Sequence, residues 1–295
     1  MSLVVNTNVA SMNAQRSLMH SSRELQSAME RLSSGKKINS AADDAAGFAI
    51  AESMTAQIRG LSMAAKNAND GLSLLKVVEN ATNDVTDMLQ RIRELAVQAK
   101  SGTNSDTDVA NLQAEAEALM DEITRVATET TYNGVAYLSN ENSAGLAETS
   151  RSVSIQVGYE DGDTIDVTSY AIDSETLLLV DADATGTTPY KDTAGGATGY
   201  LKIDDATALT KISAAIDNIA GYKSEWGAGQ NRLEYTVSNL MNVVEYTTAA
   251  RSRIQDADFA VEAARLAKAQ VLQQTGTAML AQANAAPQLA ISLLS

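Results

Sequence analysis

Apolar residues recur in threes and fours over most of this chain, and in twos over one short middle stretch. Across residues 5–34, Val5, Val9, Met12 and Met19 form one stripe and Leu18, Leu25, Met29 and Leu32 a neighbouring one, which predicts an amphipathic helix. The stretch "RLSSGKKINSAADDAAG", residues 31–47, interrupts it: Ser33, Ser34 and Gly35 continue a helix poorly, and glycine suits a C-terminal cap. Ser40 or Asp43 is placed to cap the next helix. From about 44 to 100 the spacing is strong: Ala51, Met54, Ile58, Leu61, Ala65, Ala68, Leu72 and Leu75, then a one-position slip into Val78, Ala81, Val85, Met88, Ile92, Leu95 and Ala99. Gly102 stops that helix. Ser105 or Asp106 caps a shorter one carrying Leu112, Ala116, Leu119, Ile123 and Val126, which "YNG" at 132–134 closes.

The middle changes period. Val153, Ile155, Val157 and Tyr159 alternate, "EDGD" intervenes, and Ile165 and Val167 alternate again, which predicts a β-hairpin. Residues 174–204 are turn-rich and read as a surface insertion. Helical spacing then returns through Ile212, Ile216, Ile219, Lys223, Trp226, Gln230, Leu233, Val237, Leu240, Val244, Thr247, Arg251 and Ile254, with "GAG" at 227–229 as a point where it can break. After a polar patch at Asp256 and Asp258, a last stripe runs Leu272, Gly276, Met279, Ala283, Ala286, Ala290 and Leu293, with Pro287 expected to kink or end its helix.

The two ends therefore mirror each other. Each is an amphipathic arm joined to a longer helix through a polar joint, residues 33–44 on one side, with Ser34 and Gly35, and 255–258 on the other, with Asp256. The expected fold is mostly α: a long antiparallel helical hairpin or coiled-coil bundle, with a β-hairpin-bearing tip and a short variable insert.

Composition narrows the function. Hydrophobic residues make up 44% of the 295 but aromatics only 4%, so aliphatic side chains must do the packing, which favours close helix–helix contact. A net charge of −15 argues against a nucleic-acid binder. The absence of cysteine excludes disulfides and thiolate chemistry. No window is long and apolar enough to span a membrane, and the N-terminus "MSLVVNTNVASMNAQRSLMHS" shows no ordinary signal peptide.

Candidate chemistry is sparse. The lone His20 stands beside Ser21 and Ser22 with no orienting partner in view, and there is no HExxH, phosphate-cradling glycine motif or nucleophile elbow. Asp43–Asp44 and Asp256/Asp258 read as helix caps rather than calcium ligands, and "DADATG" at 181–186 lacks an EF-hand spacing. No catalytic set, cofactor or metal is expected. In "LQRIRELAVQ", residues 89–98, Arg91 flanks an apolar stripe and reads either as a solvated edge or as a contact surface. Methionine recurs on the stripes, at Met12, Met19, Met29, Met54, Met88 and Met279, as core filler or as an adaptable groove.

Several stretches together resemble bacterial flagellin: "VVNTNVAS" at 4–11, "ERLSSGKKINSAADDAAGFAIA" at 30–51, "AKNANDGLSLLKVVENA" at 65–81, "LQRIRELAVQ", "TTYNGVAYL" at 130–138, "SRIQDADFAVEAARLAKAQVLQQTGTAMLAQAN" and the closing "SLLS". The resemblance implies a secreted, extracellular filament subunit, exported unfolded by the flagellar type III apparatus. Its implied partners are identical subunits, an export chaperone, the cap and the hook-junction proteins. It also implies a division into a filament-core domain made of arms 1–44 and 255–295, rod helices at 45–138 and 205–254, and a hairpin with variable insert at 139–204. In many flagellins the matching helix is recognised by a Toll-like receptor, which implies contact through Arg91, Leu95 and, on the next helix, Glu115.

Arms of this composition do not settle alone. Ordering a residue costs about 1–2 kcal/mol, and a buried leucine returns about 1.5–3 kcal/mol, whereas alanine and glycine return far less. Val9, Met12, Leu25, Leu32, Leu272, Met279 and Leu293 are the expected assembly contacts, and folding of the ends is expected to be coupled to subunit addition.

Overall fold

The computed structural model describes residues 8–139, 150–174, 176–177 and 200–292. Five helices and two small antiparallel hairpins follow in the order α1 (Val9–Ser34), α2 (Ala45–Ala99), α3 (Asp106–Glu129), β1 (Thr131–Tyr132), β2 (Val135–Ala136), β3 (Ser150–Gln156), β4 (Thr164–Tyr170), α4 (Ala208–Gln255) and α5 (Phe259–Ser292). The predicted mostly-α class with a β-hairpin is the observed one. Val5, Leu293, the "DADATG" loop and most of the 174–204 insert lie outside the described residues. The chain forms two compact units: residues 1–59 with 244–295, and residues 60–243.

The second unit holds the main core. The predicted spacing on α2 becomes a buried seam of Ala68, Leu72, Leu75, Val78, Ala81, Val85, Ile92 and Leu95, with Leu89 fully buried where the sequence pointed to Met88. On α3 the seam is Ala116, Met120, Ile123 and Ala127, and on α4 it is Ile212, Ala215, Ile219, Trp226 and Leu233. Ser105 starts α3 with a capping box, its hydroxyl accepting from the Asp108 amide while the Asp108 carboxylate accepts from the Ser105 amide at 3.0 Å. The "GAG" segment does not break α4, which runs uninterrupted.

Hairpin β3–β4 pairs Val153 with Val167 and Ile155 with Ile165, burying Ile155, Ile165 and Val167. It lies close against α2: a side chain added at Gly71 would meet Ile155 Cδ1 at 2.2 Å, and Asn67 Nδ2 donates to the Gln156 carbonyl at 3.2 Å. Trp226 Nε1 donates to the Thr168 carbonyl at 2.8 Å, and Tyr170 and Tyr222 stack at 4.1 Å.

Two features correct the sequence reading. "YNG" is the turn of a second hairpin, β1–β2, rather than the stop of α3, which ends at Glu129 with Thr130 as its cap: Asn133 and Gly134 both adopt left-handed φ, 52° and 77°, the pair a tight two-residue loop requires. The described ends of the 174–204 stretch are core rather than surface, with Leu177, Leu201 and Ile203 buried. Gln113 holds the returning segment as a backbone strand would, donating to the Leu201 carbonyl at 3.1 Å and accepting from the Ile203 amide at 2.9 Å.

Candidate assembly surfaces

The first unit is built on α1 packed along α5. Their inward faces follow a heptad. On α1 it is Ser11, Ala14, Leu18, Ser21, Leu25, Ala28 and Leu32; on α5 it is Glu262, Leu266, Ala269, Gln273, Gly276, Leu280 and Ala283. Most of these residues are small or polar. At Gly276 the helices come so near that an added Cβ would lie 3.2 Å from Leu18 Cδ1. Of the expected assembly residues, Leu25 and Leu32 sit in this seam, half-buried. Val9 and Met12 lie on the side of α1 opposite it, Leu272 and Met279 flank it on α5, and all four are exposed. The predicted α5 stripe is thus corrected: Gly276 and Ala283 face α1, while Leu272 and Met279 form an exposed row along the flank of the seam. The larger apolar groups had marked the flank because small ones share the seam.

The outer faces of the pair carry exposed apolar side chains that no described residue covers. Val9, Met12, Met19 and Met29 on α1, and Phe259, Val261, Val271, Leu272 and Met279 on α5, are all exposed. Met12 and Met19 stand seven residues apart on one side of α1, as Leu272 and Met279 do on α5. Apolar rows of this extent mark interaction surfaces.

The two joints lie inside this same unit and are stitched together. Gly35 caps α1 with φ 70°, a left-handed conformation that glycine adopts without strain. Lys36 then pairs with Asp256 in a single antiparallel bridge. Lys37 N donates to the Gln255 carbonyl at 2.7 Å, and Ala257 N to the Gly35 carbonyl at 3.0 Å. Ser34 Oγ accepts from the Lys36 amide at 3.2 Å, and the Asp256 carboxylate accepts from Ser252 Oγ at 2.5 Å. Arg31 connects three segments, reaching Glu262 on α5 at 3.5 Å and Asp43 at 3.9 Å, and Glu262 is nearly inaccessible. Asp44, rather than Ser40 or Asp43, caps α2, accepting from the Gly47 amide at 3.0 Å. Asp43 instead folds the preceding loop, accepting from the Asn39 and Ser40 amides at 3.1 and 3.0 Å. Those two amides, the Ser40 one foremost, hold its carboxyl below the usual value.

A third surface lies on the second unit. Arg91 donates through Nε and Nη2 to Glu115 Oε1 at 3.0 and 2.8 Å, and through Nη1 to Glu94 Oε2 at 3.0 Å. Arg91 and Glu115 are about half exposed and Glu94 more so, and the Glu115 carboxylate is the main influence raising the Arg91 pKa. Leu95 is fully buried, so it supports the helix from within and presents nothing to solvent. An open groove of about 550 Å³ runs beside this cluster between Gln90, Arg93, Val97 and Ile216.

His20 is exposed and paired with Glu24 at 3.5 Å, one turn on. No cluster of potential metal ligands occurs among the described residues, and no described helix is long and apolar enough to cross a membrane.

Residues 5–143 match the family model of the bacterial flagellin N-terminal helical region, and residues 209–294 that of the C-terminal helical region. The chain is similar to a flagellin of Xenorhabdus nematophila, 41% identical over 100% of both chains. It is likewise similar to the flagellar filament 33 kDa core protein of Treponema phagedenis, 38% identical over 99% of this chain and 100% of that one. Among solved structures, a putative flagellar hook-associated protein from Vibrio parahaemolyticus superimposes with a TM-score of 0.54 over 72% of this chain and all of its own, at 15% identity, a likeness of fold.

Proposed function

The chain belongs to the bacterial flagellin family and is a structural subunit of the flagellar filament, and on that premise we propose that α1 and α5 take up their paired form as each subunit adds to the growing filament. The observation that carries this reading is the uncovered rows on that pair, Val9, Met12 and Met19 on one helix and Val271, Leu272 and Met279 on the other. A seam in which Ser, Ala and Gly fill half the positions gives a limited return on ordering two long helices. The outer rows supply the missing burial once copies stand side by side, and a head-to-tail contact that does not close on itself extends as a helical fibre. Swimming motility is the use of such a fibre, and its place is outside the cell.

Arms that stay unfolded until assembly also suit passage through the flagellar type III apparatus as an extended chain. An export chaperone that holds the arms apart and a cap under which subunits add belong to the same reading. The joint of Ser34, Gly35 and Asp256 sets the path of the chain between arm and longer helix, and its geometry shapes the filament. A hook-junction protein is the rival of similar fold. Seeded assembly viewed by negative stain separates the two: purified subunits extend filament seeds without limit, whereas a junction protein adds once and stops. Failure to extend any seed refutes the filament reading.

The exposed Arg91–Glu115 pair also offers a planar, charge-complementary patch beside an open groove, and recognition by a Toll-like receptor is assigned to it. Soluble subunits should bind the receptor ectodomain, and Arg91→Ala should weaken that binding by at least about tenfold, the loss typical of a charge-assisted contact. Equal binding by the variant removes the assignment.

A further inference from the structure

The outer rows are notable for sulfur. The chain has ten methionines and no cysteine, so no thiol competes for a two-electron oxidant and the thioether is the readiest reductant present. Met12, Met19 and Met279 are 50, 59 and 63% exposed, Met12 and Met19 on the side of α1 opposite the α1–α5 seam and Met279 at the flank of that seam on α5. They are neighbours of Val9, Leu272 and Val271 in the apolar rows that lack cover in one chain. By contrast Met120, in the core of the second unit, is fully buried.

We propose that Met12, Met19 and Met279 are a peroxide-reactive set whose conversion to sulfoxide blocks subunit addition, and whose burial in the filament protects them. The proposal rests on the filament reading above. A sulfur lone pair attacks one oxygen of hydrogen peroxide, the O–O bond breaks and the departing hydroxide takes up the sulfur-bound hydroxyl's proton. Each thioether thus loses two electrons and gains one oxygen, while the peroxide is reduced to water. The product is a strongly dipolar S=O on a position that must become dry. Buried without a donor, it carries the full penalty of an unsatisfied polar group. Leucine at the same positions keeps nearly the same volume and apolarity but has nothing to oxidise.

The test uses full-length subunits and filaments exposed to hydrogen peroxide, with peptide mass mapping and seeded assembly as readouts. In free subunits Met12, Met19 and Met279 should oxidise at least about tenfold faster than Met120, following exposure, and in filaments they should be protected. Oxidised subunits should fail to extend seeds, and treatment with the two methionine sulfoxide reductases should restore extension. The triple variant Met12→Leu, Met19→Leu, Met279→Leu should assemble and stay insensitive to peroxide, although Met29, Met63 and Met241 remain exposed in it. A triple variant as sensitive as the natural chain, equal oxidation in filament and subunit, or no recovery after reduction each overturns the proposal. Untreated natural subunits that never extend seeds would instead refute the filament reading itself.

Discussion

Asn8 and Ala283, 275 positions apart in sequence, are joined by a 2.7 Å hydrogen bond from Asn8 Nδ2 to the Ala283 carbonyl. In an uninterrupted helix that carbonyl would accept from the amide of residue 287, and Pro287 has none. Asn8 fills the gap, and its own Oδ1 caps α1 by accepting from the Ser11 amide at 3.0 Å. Ser11 Oγ adds a 2.8 Å bond to Asn284 Oδ1. One side chain thus starts α1, compensates a proline in α5 and fixes the register of the pair.

That arrangement predicts coupling between two distant positions. Asn8→Ala should destabilise the pair by about 1–2 kcal/mol, from a lost cap and an unpaired carbonyl, raising the critical concentration for assembly about tenfold. In a Pro287→Ala background the helix satisfies Ala283 itself, and the cost of Asn8→Ala should shrink towards that of the cap alone. A double-mutant cycle on critical concentrations checks this. Strict additivity of the two changes would contradict it.

Gly276 sets how closely α1 and α5 approach. Gly276→Ala asks only the tip of Leu18 to give by a few tenths of an ångström and regains about 1 kcal/mol of helix propensity, so it should assemble normally. Gly276→Leu cannot be accommodated in the seam and should abolish filaments. Sedimentation of assembled material measures both, and normal yield from the leucine variant would show that the helices are not held at this spacing.

The joint predicts an effect on filament form. Gly35→Ala places a β-carbon on a left-handed residue at a cost of about 1–2 kcal/mol, and with Ser34→Ala it encourages α1 to run on, at the expense of the bond from Ala257 N to the Gly35 carbonyl. The double variant should assemble into filaments of altered waveform under dark-field light microscopy. An unchanged waveform removes the joint from the determinants of shape.

Acid should loosen the same joint. The folded-state pKa of Asp43 lies below its ordinary 3.8, because the Ser40 and Asn39 amides favour the carboxylate. Its contribution is therefore present above about 3.8 and is lost as pH falls through the depressed value. Asp43→Asn keeps an acceptor oxygen in place but removes the titration, so disassembly below pH about 4 should begin less steeply in the variant. Superimposable pH profiles would exclude Asp43 from the acid response.

Much of this architecture is written in hydrophobic spacing. The threes and fours from Leu61 to Ala99, and from Ile212 to Leu240, mark the buried faces of α2 and α4 because Leu, Ile and Val carry that burial. The same rule misplaced the α5 seam, where Gly276 and Ala283 pack beside Leu266 and Leu280 and the conspicuous Leu272 and Met279 lie exposed at the flank. Short-range chemistry was also harder to read. Asp43 and Asp44 are equivalent as capping residues in sequence, and only the fold of the preceding loop assigns one to the helix and the other to the turn. The roles of Leu201 and Ile203 depend on Gln113, on another element, and no local pattern announces such a pairing. At the Arg91 patch the motif itself was legible, but the burial of Leu95 emerges only once α2 is packed.

The central claim is that the arms owe their order to neighbouring copies. Hydrogen–deuterium exchange on dilute subunits and on filaments, compared peptide by peptide, tests it most directly. Amides in residues 9–34 and 259–285 should exchange freely in the lone subunit and become strongly protected in the filament, while those around Leu89, Ile92 and Trp226 stay protected in both. Equal, strong protection of both arms in the dilute subunit would contradict the account.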